Sequence, residues 1–159
     1  MPLDPAKAMA TVFSPCVFDV ERGRLRLFAA AIGEPDAVYT DLAAARAHGH
    51  RDLPVPPTFF MTMENETHGL RFLGDLGVDM GAVLHGEQHF VYRSMVYAGD
   101  QLEIRPRIAD VYSKKGRSLD FIVRSLDFIV RESDFTRNGE LVAQSKTVVV
   151  IVNRDGGAS

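Results

Sequence analysis

Hydrophobic positions change their spacing about halfway along the chain. After a short apolar strand over residues 13–20, they recur every three to four positions as far as Gly77, and from Ala82 onward they alternate with a period of two. The first period is that of helices and the second is that of strands. Helices followed by strands are typical of an α+β fold. We therefore predict one α+β domain with an antiparallel sheet in its second half.

Helical spacing predicts three helices and a weaker fourth. The first covers residues 21–32 and stops at Gly33, because glycine favours the conformation found just after a helix. The second is the alanine-rich run 42–47. The third begins at Pro57 or Thr58, after a proline-rich segment that excludes regular structure, and its apolar start predicts the most buried helix of the domain. Residues 70–77 are expected to form a helical or loop extension.

Four antiparallel strands are predicted in the second half, separated by turns that contain glycine. Their expected limits are residues 83–92, 101–112, about 118–135, and 141–153, with turns at 98–100, 115–116 and 138–139. The last strand contains an unbroken apolar run from Thr147 to Val152. Such a run predicts burial on both faces of the sheet or a subunit interface.

One heptapeptide occurs twice in succession, over residues 117–123 and 124–130. Because seven is an odd number, a straight strand would turn equivalent side chains of the two copies to opposite faces. We predict that a bulge, or a hairpin lengthened near Gly116, absorbs one copy. A recent duplication is the simplest origin of the repeat.

Length and composition place the chain among single-domain proteins. It has 159 residues, of which 46% are hydrophobic, so we expect one domain over residues 1–159 with a core of about 13–153 and a frayed tail at 154–159. No stretch reaches the roughly 18 apolar residues that cross a membrane, and the first eleven residues do not resemble a signal peptide. The net charge of -3, without a basic run, does not favour nucleic acid or a membrane surface as a partner. We expect a soluble, cytoplasmic protein.

Several kinds of site are not predicted. Cys16 is the only cysteine, which excludes an intramolecular disulfide and a cysteine zinc site, and we expect it to be a buried, inert thiol. The chain has no phosphate-binding glycine motif and no Gly-x-Ser-x-Gly elbow, and it shows no evident Cys/His nucleophile pair. A nucleotide-binding protein, a serine hydrolase and a thiol hydrolase are therefore disfavoured, and no cofactor is expected.

The segment 32–41 concentrates ionisable groups on a loop. Glu34, Asp36 and Tyr39 lie within six positions directly after the first predicted helix. Loops that carry such groups often form binding or catalytic sites, although acidic loop residues also occur for solubility alone. We take these three residues as candidate catalytic residues.

Two histidine-containing segments have a chemical and a structural interpretation. His85, Glu87 and His89 alternate along a predicted strand, where residues two apart are separated by roughly 6.6 Å and those four apart by about 13 Å. One metal ion cannot bind all three at that spacing, so a polar or interface-facing surface is the better interpretation and no metal site is predicted. His48 and His50, beside Arg51, could contact a phosphate group, but an exposed helix end explains them more simply.

Five segments in order carry a family resemblance. They are residues 28–33 with the following loop 34–41, Leu53-Pro54-Val55-Pro56-Pro57-Thr58-Phe59, residues 83–88, residues 96–100 and residues 138–142. Over about residues 17–152 the chain resembles the MaoC-like hot-dog family, in particular its N-terminal MaoC-type group of acyl-thioester dehydratases and hydratases. The resemblance implies a long central helix starting near Thr58, with an antiparallel sheet wrapped around it.

The resemblance also implies an activity, a partner and a site. Members add water reversibly to 2-enoyl thioesters of coenzyme A or an acyl carrier, and they form homodimers or heterodimers that bind the substrate at the subunit junction. Active members use an Asp and a His in a Gly-Asp-x-Asn-Pro-x-His-like loop. Glu34 matches that Asp, Asp36 matches the Asn, and Tyr39 matches the His. The implied substrate-binding residues are Pro56, Pro57, Thr58 and Phe59.

These substitutions leave three functions open. The first is a hydratase or dehydratase, acting through Glu34 and Asp36 or beside a hot-dog partner that supplies the Asp/His pair. A tyrosine phenol, with an ordinary pKa near 10, is a poor base at neutral pH. A histidine imidazole, with an ordinary pKa near 6.5, is well suited to act as a base there. The second is a non-catalytic subunit that binds acyl thioesters. The third is a hot-dog thioesterase in which Glu34 activates water.

Overall fold

Helical spacing in the first half of the chain corresponds to short helices. The computed structural model describes residues 3–115 and 123–154. Its α-helices are α1 (Pro5–Met9), α2 (Arg22–Ala31), α3 (Leu42–Ala47), α4 (Phe59–Thr67) and α5 (Phe72–Asp75), with 3-10 turns at Ala37–Tyr39 and Met80–Ala82. The helices predicted at 21–32 and 42–47 are confirmed. The segment 70–77 contains a single helical turn, α5.

The strands form one antiparallel sheet. They are β1 (Cys16–Asp19), β2 (Val83–Tyr92), β3 (Gln101–Lys115), β4 (Val123–Arg137) and β5 (Glu140–Arg154). Their order across the sheet is β1-β3-β4-β5-β2, so β1 and β2 are the two edge strands. The predicted α+β class is confirmed. The first strand is shorter than the predicted 13–20, because Pro15 has no N–H to donate and pairing with β3 begins at Cys16.

The hairpin between β4 and β5 follows directly from its turn residues. Asn138 and Gly139 connect the strands with φ angles of 53° and 80°, and Arg137 lies opposite Glu140. Two residues with positive φ form the turn that matches the twist of a two-residue hairpin, and Asn-Gly is the sequence that adopts it most readily. The predicted turn at 138–139 is confirmed.

Helix α4 lies in the core, but it is shorter than the resemblance implied. It begins at Phe59, directly after the predicted start at Pro57 or Thr58, and ends after nine residues at Thr67. Gly69 has a φ of 54° and its N–H bonds back to the carbonyl of Glu64 over 2.8 Å, a helix-ending arrangement. The expectation of a long central helix is therefore wrong, since glycine ends it within three turns.

Aromatic side chains of α4 join the helices to the sheet. Phe60 meets Phe135 of β4 edge to face with ring centroids 5.0 Å apart, and Phe59 meets Phe28 of α2 in the same way at 5.1 Å. Edge-to-face pairs of buried rings add to the free energy of burial itself. The helix thus packs with one face on the sheet and with another on α2.

A buried polar network lies beneath α4. The carboxylate of Glu64 is 1% exposed and its Oε1 accepts hydrogen bonds from the hydroxyls of Ser133 and Ser145. Arg131 of β4, 2% exposed, places its Nη2 3.8 Å from the same oxygen. Burying a carboxylate is costly unless it is paired and hydrogen-bonded. These three partners serve Oε1, whereas Oε2 is buried without a hydrogen-bond partner among the described residues. No local pattern in the sequence indicates this network, because its members lie on separate elements.

The repeated heptapeptide falls partly outside the described residues. Residues 116–122 are not described, so the prediction for the first copy stays a prediction. The second copy lies in β4 and pairs with β3 and β5. Two register shifts flank the second copy. One lies in β4 itself, between Val123 and Ser125, and the other lies on β3 between Ile108 and Asp110, opposite Arg131 and Val130.

Strand β5 is buried on both faces over its apolar run. Val148, Val149, Val150 and Ile151 are all buried, as the unbroken run predicted. β5 lies between β4 and β2, so its backbone is also paired along both edges. Burial on both faces is confirmed.

Candidate functional site

The loop after α2 is held together by its own carboxylates. The Oε1 of Glu34 accepts a hydrogen bond from the backbone N–H of Asp36 over 3.0 Å. The Oδ1 of Asp36 accepts one from the N–H of Val38, also over 3.0 Å, and so caps the 3-10 turn that follows. Both side chains thus have a structural role, with one oxygen of each engaged in the loop.

Tyr39 ends that 3-10 turn and reaches a cavity. The cavity has a volume of about 370 Å³ and lies between the loop, the start of α4 and the end of β2. It is lined by Tyr39, Val55, Pro57, Phe60, Tyr92, Arg93, Ser94, Met95 and Val96. We call it the Tyr39 cavity. Among these residues the charged group is Arg93, and neither a carboxylate nor an imidazole is included.

The phenol of Tyr39 is held in its protonated form. Partial burial raises its pKa above the ordinary value of 10.0, and the nearby negative charges of Glu34 and Asp36 raise the pKa further. Both causes disfavour the phenolate. At neutral pH Tyr39 is therefore a hydrogen-bond donor facing the cavity. It cannot replace the histidine base of active family members.

The four implied substrate-binding residues are separated by the fold. Pro57 lines the cavity, and Thr58 beside it is exposed. Pro56 is buried, and Phe59 lies in the core with 2% of its surface exposed. Phe59 is not among the described lining residues, because the first turn of α4 directs its ring toward Phe28. Phe60, one position later, occupies the cavity wall.

The wall of the Tyr39 cavity opposite Tyr39 was not predicted. It comes from the end of β2 and the segment after it. Tyr92 donates a hydrogen bond to the carbonyl of Pro57 over 2.8 Å, and burial raises its pKa. The hydroxyl oxygen of Ser94 is buried and has no partner among the described residues. The change from alternating residues to Arg93-Ser94-Met95 marks the strand end in the sequence. That signal does not show which residues the strand end will meet.

A second cluster surrounds Asp100 at the turn before β3. Burial by itself raises the pKa of Asp100, but hydrogen bonds from the Tyr97 N–H, Arg51 and Arg137 outweigh it, and the pKa lies below its ordinary value. Arg51 also lies over the ring of Tyr97, 4.7 Å from its centroid, and His50 contacts the same phenol at 3.3 Å. These contacts favour the structural interpretation of His50 and Arg51 over a phosphate site.

Cys16 differs from the buried thiol that was expected. It is partly exposed, and its Sγ lies 3.4 Å from Nε2 of His68, which follows α4. This contact between a thiol and an imidazole was not predicted. The same Nε2 lies 2.8 Å from the carbonyl oxygen of Ser14, so the ring nitrogen is shared between the thiol and the backbone. The two residues are 52 positions apart, which hid their proximity in the sequence.

The histidines of β2 do not gather as a metal site. A register shift separates His85 from Glu87, and His89 Nε2 lies 3.2 Å from a carboxylate oxygen of Glu87. Over residues 3–115 and 123–154, no group of three His, Cys, Asp or Glu side chains is arranged to hold a metal ion. Over the same residues, no helix has the length and apolar character of a membrane span.

Comparison with known proteins defines the class and then the family. A five-stranded antiparallel sheet packed on helix α4, with a cavity at the start of that helix, is the hot-dog fold of hydratases and dehydratases. Residues 7–145 match the family described as FAS1-like, dehydratase domain region, and the chain belongs to that family. It is similar to a UPF0336 protein of Parafrankia sp., with 37% identity over 151 residues that cover 94% of this chain and 95% of the relative.

Two solved structures have the same fold. The HadBC (3R-hydroxyacyl-ACP dehydratase) complex of Mycobacterium tuberculosis contains a chain with 29% identity and a TM-score of 0.70, covering 86% of this chain and 91% of that one. The ChsH1-ChsH2 complex of the same organism matches with 21% identity and a TM-score of 0.72, covering 97% and 92%. Both structures are complexes, and the resemblance to the MaoC-like hot-dog family is confirmed.

Proposed function

We propose that this chain is one subunit of an acyl-thioester hydratase or dehydratase that acts on 2-enoyl or 3-hydroxyacyl thioesters of coenzyme A or an acyl carrier protein. In this proposal the chain contributes the Tyr39 cavity to substrate binding, and a second hot-dog subunit supplies the Asp/His pair. The observation that carries it is Tyr39 itself. Its phenol, with a raised pKa, faces the cavity from the loop position that matches the family's histidine.

The chemistry of hydration requires a base that this cavity does not provide. Water must lose a proton as it adds to the enoyl double bond, and a side chain with a pKa near neutrality does this best. No carboxylate or imidazole belongs to the described cavity lining, and Glu34 holds the loop backbone with one of its oxygens. The polar groups of the lining belong to Tyr39, Tyr92, Arg93 and Ser94. They are suited to binding a thioester or its acyl oxygen.

The position of the cavity supports a subunit partner. Strand β2 is an edge strand of ten residues, and its end leads directly into the cavity wall. Leu84 and Val91 on this strand are 56% and 52% exposed. A long edge strand with exposed apolar side chains is a ready surface for pairing with another sheet. A second subunit docked there would lie against the Tyr39 cavity.

A reconstitution experiment tests the catalytic proposal. The purified chain is assayed alone and mixed with a hot-dog protein that carries an intact Asp/His loop and is encoded beside it. Loss of enoyl-thioester absorbance reports hydration and a thiol reagent reports hydrolysis. We expect no turnover by the chain alone and faster turnover in the mixture than by the partner alone.

The other outcomes separate the alternatives. Hydration by the lone chain, lost in Glu34→Gln, would establish autonomous catalysis and contradict the partner model. Thioester binding without any gain in turnover in the mixture would identify a non-catalytic binding subunit. Release of free thiol by the lone chain would identify a thioesterase.

A second experiment tests the docking edge. In the mixture with the hot-dog partner, Glu substitutions at Leu84 and Val91 are expected to lower the mass measured by light scattering from that of the complex to that of the separate subunits, because charges on the edge strand oppose pairing. Leu27→Glu is the matched control, since Leu27 is exposed on α2, away from the edge. An unchanged mass for the β2 variants would contradict docking through this strand.

A further inference from the structure

A second cavity lies in the cleft between α4 and β2, and it shares no lining residue with the Tyr39 cavity. Its volume is about 130 Å³. A water molecule in the liquid occupies about 30 Å³, so this space suits a molecule of roughly four to six non-hydrogen atoms. We call it the Arg131 cavity.

Three residues in one row across the sheet form its polar end. Gln88 of β2 lies opposite Thr147 of β5, and Thr147 lies opposite Arg131 of β4. Cross-strand partners project from the same face of a sheet, and neighbouring strands are about 4.8 Å apart. Side chains as long as those of glutamine and arginine can therefore reach a common point above Thr147.

Arg131 has an unused donor in this row. Its Nη1 donates to the carbonyl of Gly69 over 2.6 Å, and its Nη2 faces Glu64 at 3.8 Å. Its Nε is buried and has no hydrogen-bond partner among the described residues. Glu64 does not meet this need: its Oε1 already accepts from two serine hydroxyls, and its Oε2, although buried without a hydrogen-bond partner among the described residues, makes no bond to Arg131 Nε.

Gln88 supplies the second unused donor of the cavity. Its Oε1 accepts a hydrogen bond from the hydroxyl of Thr147 over 2.9 Å, while its Nε2 is buried without a partner among the described residues. Buried polar groups are nearly always hydrogen-bonded, because an unmade bond destabilises the folded state. Two such donors on one cavity define a place for an acceptor.

The remaining walls determine what kind of acceptor fits. Met61, Leu70, Leu84 and Val149 supply apolar surface, Asn65 and His85 add polar groups, and no carboxylate is among the described lining residues. The charge of Arg131 is paired with the buried Glu64, 3.8 Å from its Nη2, but its free Nε makes a stronger hydrogen bond to an anionic oxygen than to a neutral one. The occupant must therefore have acceptor oxygens at one end and a short apolar chain at the other.

We propose that the Arg131 cavity binds a short-chain carboxylate, of acetate to butyrate size, whose oxygens accept hydrogen bonds from Arg131 Nε and Gln88 Nε2. The alkyl part lies against Met61, Leu70 and Val149. This site shares no lining residue with the Tyr39 cavity, although Leu84 belongs both to its wall and to the docking edge of the proposed function.

Acetate and propionate are the probes for this proposal. They are titrated into the labelled protein at constant ionic strength, with chloride and acetamide as the matched anion and the matched neutral acceptor, and backbone amide resonances are followed by NMR. We expect saturable shifts at β2 and β4 with a Kd of about 1–10 mM, tighter for propionate. Weak, non-saturating changes, or acetamide binding as well as acetate does, would overturn the proposal.

Two variants at one position locate the site. Gln88→Leu is expected to weaken acetate binding about tenfold, because it removes a hydrogen bond to a charged acceptor. Gln88→Glu places a carboxylate beside Arg131, and its negative charge should abolish acetate binding. Gln101→Leu is the matched control on β3, where the glutamine contacts Asp19. Unchanged acetate affinity in both Gln88 variants contradicts the site.

Discussion

Tyr92 donates a hydrogen bond from its phenol to the backbone carbonyl of Pro57 over 2.8 Å, and this bond joins two segments 35 residues apart. Tyr92 ends the edge strand β2, and Pro57 precedes α4. The same ring lies 5.6 Å from Phe60 and stacks on Phe90 at 5.9 Å. One side chain thus connects the docking edge proposed for a partner with the wall of the Tyr39 cavity.

Removing this bond tests the connection. Tyr92→Phe keeps the ring contacts and loses only the hydroxyl, so the free energy of unfolding in urea should fall by about 1 kcal/mol. Tyr112→Phe is the control, because its stacking on Phe128 at 4.8 Å is retained by phenylalanine. Equal effects of the two substitutions would show that the Tyr92 bond does not stabilise the fold.

The donor role of Tyr39 predicts both an affinity change and a pH profile. Tyr39→Phe should weaken thioester binding about fivefold to tenfold, as expected for one hydrogen bond, without changing the fold. Because burial and the charges of Glu34 and Asp36 raise its pKa, the phenol stays protonated and wild-type affinity should be constant from neutral pH to about 10. Binding that is lost below pH 9 only in the wild type would contradict a protonated donor.

The buried and exposed glutamates of α4 should respond differently to the same substitution. Glu64→Gln leaves Arg131 buried without a compensating charge, and we expect it to reduce the free energy of unfolding by about 3 kcal/mol or more. Glu66→Gln breaks an exposed pair with Arg24 and should cost less than about 1 kcal/mol. Chemical denaturation of the two variants measures the difference. Comparable values would mean that the Glu64 network contributes no more than a surface ion pair.

Glycine at position 86 is required by close packing in the edge strand. A Cβ there would lie 2.7 Å from Cγ2 of Val150 and 3.1 Å from the carbonyl oxygen of Val148. Gly86→Ala should therefore destabilise the protein by about 1–3 kcal/mol and disturb the edge of β2. Gly23→Ala is the matched control in α2, where nothing lies within 4 Å of the new methyl group, and it should stabilise by about 0.5–1 kcal/mol. Thermal unfolding of both variants decides the sign of each effect.

The ion pair between Arg22 and Asp52 is expected to account for part of the protein's loss of stability at low pH. Bidentate hydrogen bonds from Arg22, over 2.8 and 2.5 Å, lower the pKa of Asp52 from 3.8 to about 2. A carboxyl whose pKa is lowered by folding contributes stability above its unfolded pKa and loses it as the pH falls. Stability should therefore decline between pH 4 and pH 2, less so in Asp52→Asn.

A double-mutant cycle checks that this decline belongs to the pair. Arg22→Gln should flatten the same part of the pH profile as Asp52→Asn does, and the double variant should add nothing further. Additive effects of the two substitutions would show that other partners set the acid sensitivity.

The secondary structure was predictable where local signals agree. The limits of β2 and α3 were predicted to the residue, because alternation in one and an alanine-rich run ended by glycine in the other are local properties. The Asn138-Gly139 turn is equally local. The family resemblance implied a longer α4 than the chain forms, because Gly69 ends the helix in this sequence.

The sites were only partly predictable. The loop of Glu34, Asp36 and Tyr39 was identified from its concentration of ionisable groups, and the structure brings Tyr39 to the cavity while both carboxylates bind loop amides. The pairing of Cys16 with His68 was missed, as was the opposite cavity wall. Both depend on segments that are distant in the sequence and adjacent only in the folded chain.

The sequence by itself determined the order of helices and strands, the turns and the loop that lacks a histidine, because periodicity, turn residues and residue identity act over a few positions. The tertiary structure alone decided that Tyr39 and Tyr92 share one cavity, and that Gln88, Thr147 and Arg131 form one row beneath α4. Strand register and helix packing determine which distant side chains meet. Burial then decides which of their charges and donors remain available for a ligand.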